Sequence, residues 1–259
     1  SGEWQTFRQS ETPGIGGGWA SAIAFGPDYS AWTTIINGSA SHYKNGEWTA
    51  LPDIYSFNSV DVDDDGQVWF GDDGKGLVVL AADGSLKMKL TTKEGLPGDN
   101  VQAVLVDQAN TVWLGTDKGL ARYADGALEV IFGQDQPGLP NNYIRALALD
   151  ADGGLIIGTF TGVARYDGNR IETLVDFLTS GFRQARLTTL AVAPTGRIWV
   201  GTDHGLLFSD DYANWTMLTT QDGLLTDTVS ALVVDPYGAA WVGGGGSNFD
   251  GGGLLQIVP

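Results

Sequence analysis

One motif recurs six times along this chain, and its spacing constrains the fold more than any single residue does. Its anchors fall at positions 32, 69, 113, 156, 199 and 241, in steps of 37, 44, 43, 43 and 42 residues. The fullest copy is Trp199-Val200-Gly201-Thr202 followed by Gly205-Leu206, and Val112-Trp113-Leu114-Gly115-Thr116 with Gly119-Leu120 is nearly as complete. Val68-Trp69-Phe70-Gly71, Ile156-Ile157-Gly158-Thr159 and Trp241-Val242-Gly243 follow the same plan, and Ala31-Trp32-Thr33 is the most degraded copy. A period of about 40 residues made of short strands and glycine turns signals a propeller.

Each unit reads as four strands. An apolar inner strand such as Val101 to Val106 leads through an Asp-containing turn to the Trp strand. A glycine turn and then an Asp-Gly pair, such as Asp125-Gly126, bound the two outer strands, which is hairpin chemistry. No long segment carries helical periodicity. The expected fold is therefore all-β: a six-bladed β-propeller of four-stranded antiparallel blades, forming one domain over 1–259. The repeat tryptophans are expected to fill the space between blades, so that truncating one to Ala costs about 3–5 kcal/mol. The sixth unit has no outer strand after Leu254 to Val258, while Trp4-Gln5-Thr6-Phe7 resembles the outer strands Trp48-Thr49 and Trp215-Thr216-Met217-Leu218. The expectation is that Trp4–Phe7 completes the sixth blade and closes the ring.

Composition narrows the function. With 31 acidic against 14 basic side chains and a formal net charge of −17, the surface does not suit a phosphate backbone, so no nucleic-acid partner is expected. No apolar stretch approaches the ~18–20 residues of a membrane-spanning helix, so no direct membrane insertion is expected. The chain has no cysteine, which fits export without disulfides. Much of the acid is Asp placed in turns, where its side chain bonds nearby backbone amides.

The pattern Leu-x-x-Asp-x-x-Gly-x-x-Trp-x-Gly-Thr-x-x-Gly-Leu, seen in Val104 to Leu120, Leu190 to Leu206 and, less fully, Val60 to Leu77, resembles the two-component regulator propeller repeat. The linkers Gly95-Leu96-Pro97-Gly98-Asp99-Asn100 and Gly138-Leu139-Pro140-Asn141-Asn142 resemble the same family's Gly-Leu-Pro-x-Asn segment. The resemblance implies an extracytoplasmic (periplasmic or secreted) sensor region of a bacterial signalling protein, with a ligand that is often a glycan.

Aligning the repeats locates a ligand face. The residues just before the inner strands are Trp19, Ser56, Asn100, Tyr143, Arg186 and Thr228, and two positions later come Ser21, Asn58, Gln102, Arg145, Thr188 and Ser230. The second row is wholly polar, and Ile23, Val60, Val104, Leu147, Leu190 and Leu232, two positions further on, are wholly apolar. Strand alternation is expected to stack the two rows on one side, giving a varied polar mouth over a uniform interior of the central channel. Arginine is scarce, at eight in the chain, yet Arg145, Arg183 and Arg186 come from adjacent units. Guanidinium suits carboxylate, sulfate or phosphate, and Trp19 and Tyr143 suit ring stacking. The expected ligand-binding set is Trp19, Asn58, Asn100, Gln102, Tyr143, Arg145, Phe160, Arg183, Arg186, His204, Asn248 and Phe249. The last two come from the long, glycine-rich turn between Trp241 and Leu254.

Three function classes stay open: a non-catalytic module binding a small, partly anionic or carbohydrate-like ligand, a propeller enzyme of lyase, lactonase or glycosidase type, and a protein-interaction platform with a protein partner. An enzyme would draw on His204 with Asp203 and Tyr143. No serine elbow, phosphate loop or Cys/His metal pattern is present. Asp61, Asp63 and Asp65, with Asp72 beyond, are spaced like a Ca2+ loop. However, Asp63 holds the ordinary turn position it shares with Asp107, Asp150 and Asp235, so a hairpin turn and no cofactor are expected.

Overall fold

The repeat sequence becomes six antiparallel sheets in the computed structural model. Residues 6–36, 38–55, 57–133, 138–245 and 253–258 are described, with the backbone alone for Trp19, Pro52, Asp53 and Tyr55. The fold is a six-bladed β-propeller. Among the described residues there is no α-helix, only a short 3-10 turn at Thr220–Asp222. No helix of the described residues is long and apolar enough to cross a membrane.

The chain divides into two compact units, Ser1–Ile131 and Phe132–Pro259. In the first, β1 (Trp19–Phe25), β2 (Ala31–Ile36), β3 (Ser39–Lys44) and β4 (Glu47–Tyr55) form sheet one. Sheet two holds β5 (Phe57–Val62), β6 (Val68–Asp72), β7 (Leu77–Leu80) and β8 (Leu86–Leu90). Sheet three holds β9 (Val101–Val106), β10 (Val112–Thr116), β11 (Gly119–Ala124) and β12 (Ala127–Phe132). In the second unit, β13 (Ile144–Leu149), β14 (Leu155–Thr159), β15 (Gly162–Tyr166) and β16 (Ile171–Asp176) form sheet four. Sheet five is β17 (Leu187–Val192), β18 (Ile198–Thr202), β19 (Gly205–Ser209) and β20 (Thr216–Leu218). Sheet six has three described strands, β21 (Val229–Val234), β22 (Ala240–Gly244) and β23 (Gly253–Ile257).

The motif residues have separate physical jobs. Trp69 is buried with Val101, Leu114 and Ala121 of sheet three, and Trp199 is buried with Val229, Ala240 and Val242 of sheet six. Each tryptophan thus fills the space beside the next sheet, where apolar burial contributes most. The motif glycine leaves room for that next sheet. A Cβ on Gly71 would lie 2.7 Å from the Val101 carbonyl oxygen, and one on Gly201 would lie 2.7 Å from Val229 Cγ1. The motif threonine closes the turn: Thr116, Thr159 and Thr202 donate Oγ1–H to the carbonyls of Gly119, Gly162 and Gly205 at 3.0, 3.0 and 2.7 Å.

The expected strand Trp4–Phe7 falls partly outside the described residues. Trp4 and Gln5 lie outside the described residues, and Thr6 and Phe7 carry no strand. The Phe7 ring packs in the first unit, 5.5 Å from Tyr43 and 5.6 Å from Trp48 in edge-to-face or tilted contact.

Candidate functional site

Every residue of the polar row sits at an irregularity in its inner strand. The pairing register skips Ser21, Asn58, Gln102, Arg145, Thr188 and Ser230 in turn. A bulge re-aims the side chain it carries and resets the pleat. Alternation counted across it therefore fails, and the polar and apolar rows do not share a side by simple periodicity. Several of these bulge residues serve the scaffold. Ser21 donates to the Phe57 carbonyl of the next sheet at 3.2 Å, Thr188 donates to the Val229 carbonyl, and Ser230 to Gly243 at 3.4 Å.

In the second unit Arg145 is the exception. The linker before it is set by Asn141, whose Oδ1 accepts the Tyr143 N–H at 2.8 Å. The Tyr143 carbonyl in turn accepts the Phe160 N–H at 2.8 Å, drawing the turn after β14 alongside. The Tyr143 and Phe160 ring centroids lie 6.1 Å apart. Arg145 Cζ stands 5.9 Å from the Phe160 centroid and Arg186 Cζ 5.3 Å from the same point. Both are within cation–π range. The linker into β17 supplies Arg186, and one of its terminal nitrogens donates to the carbonyls of Arg183, Gln184 and Ala185 at 3.3, 3.2 and 2.9 Å. Arg183 donates Nε–H to the Leu178 carbonyl at 3.2 Å.

Asp203 ties this linker to the turn after β18. Its Oδ1 accepts the Arg186 N–H at 2.8 Å and faces His204 Nδ1 at 2.7 Å. His204 is half exposed. Thus Tyr143, Arg145, Phe160 and Arg186 converge, with Arg183 on the linker, and Asp203 and His204 form a pair joined to them through Arg186.

The charges at this place are unbalanced. Five of the eight arginines reach a carboxylate: Arg8 to Glu11, Arg122 to Glu129, Arg165 to Asp150, Arg170 to Asp167 and Glu172, and Arg197 to Asp210. The remaining three, Arg145, Arg183 and Arg186, make no ion pair among the described residues. Two of them, Arg145 and Arg186, share the Phe160 ring, and in a chain with twice as many acids as bases such guanidiniums are fit to receive an external oxyanion.

The first unit carries the amide members of the expected set. Gln102 donates Nε2–H to Asn100 Oδ1, the Asn100 carbonyl accepts the Asp117 N–H at 3.0 Å, and Asn58 Nδ2 is buried with no hydrogen-bond partner. Only the backbone of Trp19 is described, and Asn248 and Phe249 lie outside the described residues.

The carboxylates spaced like a calcium loop have other partners. Asp63 accepts the Gln67 N–H at 2.8 Å and the Trp69 indole N–H at 2.9 Å. Asp61 accepts the Val106 N–H of the next sheet at 2.7 Å and the Val62 N–H at 2.9 Å, and burial pushes its carboxyl above the usual carboxylate range. Asp65 Oδ2 accepts from Gln67 Nε2 at 3.4 Å, and Asp72 accepts the Lys75 N–H at 3.0 Å. Among the described residues no three or more metal-ligating side chains come together.

Two segments, 95–118 and 138–161, match the family model for the two component regulator propeller. No curated protein sequence matches the chain. Among solved structures, the extracellular domain assigned to a hybrid two component system of B. thetaiotaomicron is similar at 15% identity and TM-score 0.74, over 98% of this chain and 35% of that one. One assigned to a one component system of the same organism is similar at 18% identity and TM-score 0.74, over 92% of this chain and 32% of that one. The chain thus spans about a third of either domain. Virginiamycin B lyase from Staphylococcus aureus is similar at 13% identity and TM-score 0.69, over 95% of this chain and 86% of that one. At these identities the likeness is one of fold. The chain is a β-propeller with two segments that match the two component regulator propeller model.

Proposed function

We propose that this chain is a non-catalytic binding module of the sensor type, extracytoplasmic, which takes a small anionic or anionic-carbohydrate ligand where Tyr143, Arg145, Phe160 and Arg186 converge. One observation carries the reading: Arg145 and Arg186, which share the Phe160 ring, have no carboxylate partner among the described residues. Fold likeness to the extracellular domains of sensor systems supports the same direction. A thermal-shift screen of carboxylated, sulfated and neutral oligosaccharides tests it, run on the parent, Arg145→Ala and Arg186→Ala. Anionic members are expected to raise the parent's Tm and to lose that effect in both variants. Stabilisation by neutral sugars alone, or shifts unchanged in the variants, would remove the arginines from the site.

The 2.7 Å Asp203–His204 pair favours a second reading, in which His204 acts as a general base on the bound ligand. Product formation abolished by His204→Ala, with ligand affinity retained, would establish it in place of the first.

A further inference from the structure

The proposed site holds two guanidiniums where one carboxylate needs only one. Arg145 on β13 and Arg186 before β17 reach it from neighbouring sheets, and both lie over the same Phe160 ring. Their separation cannot exceed the sum of those two distances to its centroid. Like charges so placed repel, and no carboxylate among the described residues pairs with either.

What offsets the repulsion is visible. The ring quadrupole of Phe160 attracts both cations, and the carbonyls of Arg183, Gln184 and Ala185 hold one terminal nitrogen of Arg186. Phe160 is itself fixed on both sides of its backbone. Its N–H donates to the Tyr143 carbonyl at 2.8 Å, and its carbonyl accepts the Leu187 N–H at 3.4 Å. With two guanidiniums against its ring, Phe160 serves as a support more than as a stacking surface for a ligand.

Resting on the reading above, we infer that this site selects dianions over monoanions, and that Phe160 is the positioning residue that sets the preference by keeping both guanidiniums on one ring. A ligand bearing two negative charges, whether on one sulfate or phosphate group or on two carboxylates, satisfies both cations and removes their repulsion. A monoanion leaves one of them unbalanced.

Isothermal titration at fixed ionic strength tests this with inorganic sulfate and succinate against acetate as probes. The parent is expected to bind the dianions roughly tenfold tighter or more, the effect of one added charge-assisted contact. Phe160→Leu, which keeps an apolar side chain without the quadrupole, is expected to bring the preference below about threefold, and Phe160→Trp to keep it. Arg145→Gln should weaken sulfate and succinate binding far more than acetate binding and so lose the preference, which keeps the test sharp if Phe160→Leu unfolds. Equal affinity of the parent for both classes, or a preference intact in Arg145→Gln, would overturn the inference while leaving the proposed function standing. Absence of binding to every anion would overturn both.

Discussion

Arg165 donates to Asp150 across 2.6 Å, in the place where a tryptophan indole N–H meets the equivalent aspartate in three other sheets. Those pairs are Trp69 with Asp63 and Trp113 with Asp107, at 2.9 Å each, and Trp241 with Asp235 at 3.3 Å. Sheet four has Ile156 at the tryptophan position, and Arg165 is the residue directly across the strand from it. A nearly fully buried carboxylate that has lost its indole partner thus gains a guanidinium. Arg165→Ala is expected to destabilise the protein by about 3 kcal/mol, the lower end for a broken buried pair, because Asp150 keeps two backbone amides. The double variant Arg165→Val with Ile156→Trp should recover much of that loss by restoring the sister arrangement. Denaturant unfolding measures both, and equal stability of Arg165→Ala and the parent would refute the substitution logic.

Sheet five offers the converse case. Ala193 occupies the aspartate position, and Trp199 Nε1 is buried without a hydrogen-bond partner. Arg197 lies 5.2 Å from the Trp199 ring instead. Ala193→Asp should install the missing bond and stabilise by about 1 kcal/mol, a rise of roughly 2–4 °C in Tm. A fall in Tm would mean that the turn has closed over the space the carboxylate needs.

His42 lies flat against Trp32, with centroids 3.7 Å apart and planes at 9°, and its Nε2 is buried without a partner. Burial, then the Lys44 charge, hold it below its usual 6.5, against a smaller opposing pull from Asp28. The unfolded chain therefore binds this proton more readily than the folded one. Stability contributed by neutral His42 is present above 6.5 and declines as pH falls below it toward the folded value. Unfolding of the parent and His42→Phe at pH 5 and pH 7 should show a smaller pH effect in the variant. Identical pH dependence would rule out His42 as the source.

Asp61 joins sheets two and three through Val106, and Asp61→Ala would leave that amide without its partner. The expected cost is about 1–3 kcal/mol, with no dependence on added calcium. Calcium-dependent stability in the parent, lost in the variant, would favour the metal reading of Asp61 to Asp65.

The motif positions were legible in the sequence because each answers a repeated physical need. Gly71 and Gly201 admit the next sheet, Thr116 and Thr202 close a turn, and Trp69 fills a fixed space. Arg145 and Arg186 were legible because each is the one charged residue in its row of aligned repeat positions. What alternation hid was the bulge at each polar position. Ser21 and Thr188 look like ligand groups in sequence, yet they bond the carbonyls of Phe57 and Val229 on the next sheet. The partner of Asp61 is 45 residues away, and no local pattern announces it. The contacts of the Phe7 ring with Tyr43 and Trp48 likewise follow from no repeat position. The support role of Phe160 rests on two side chains from different sheets meeting one ring, which spacing alone does not specify.

Among the described residues, Arg145 and Arg186 stand without a carboxylate partner until an anion arrives. Guanidinium Nε–H resonances, followed by NMR through a sulfate titration, test it most directly. Saturable shifts are expected for Arg145 and Arg186, while Arg165 and Arg197, already paired with Asp150 and Asp210, stay in place. Shifts of equal size at all exposed arginines, or none at Arg145 and Arg186, would contradict it.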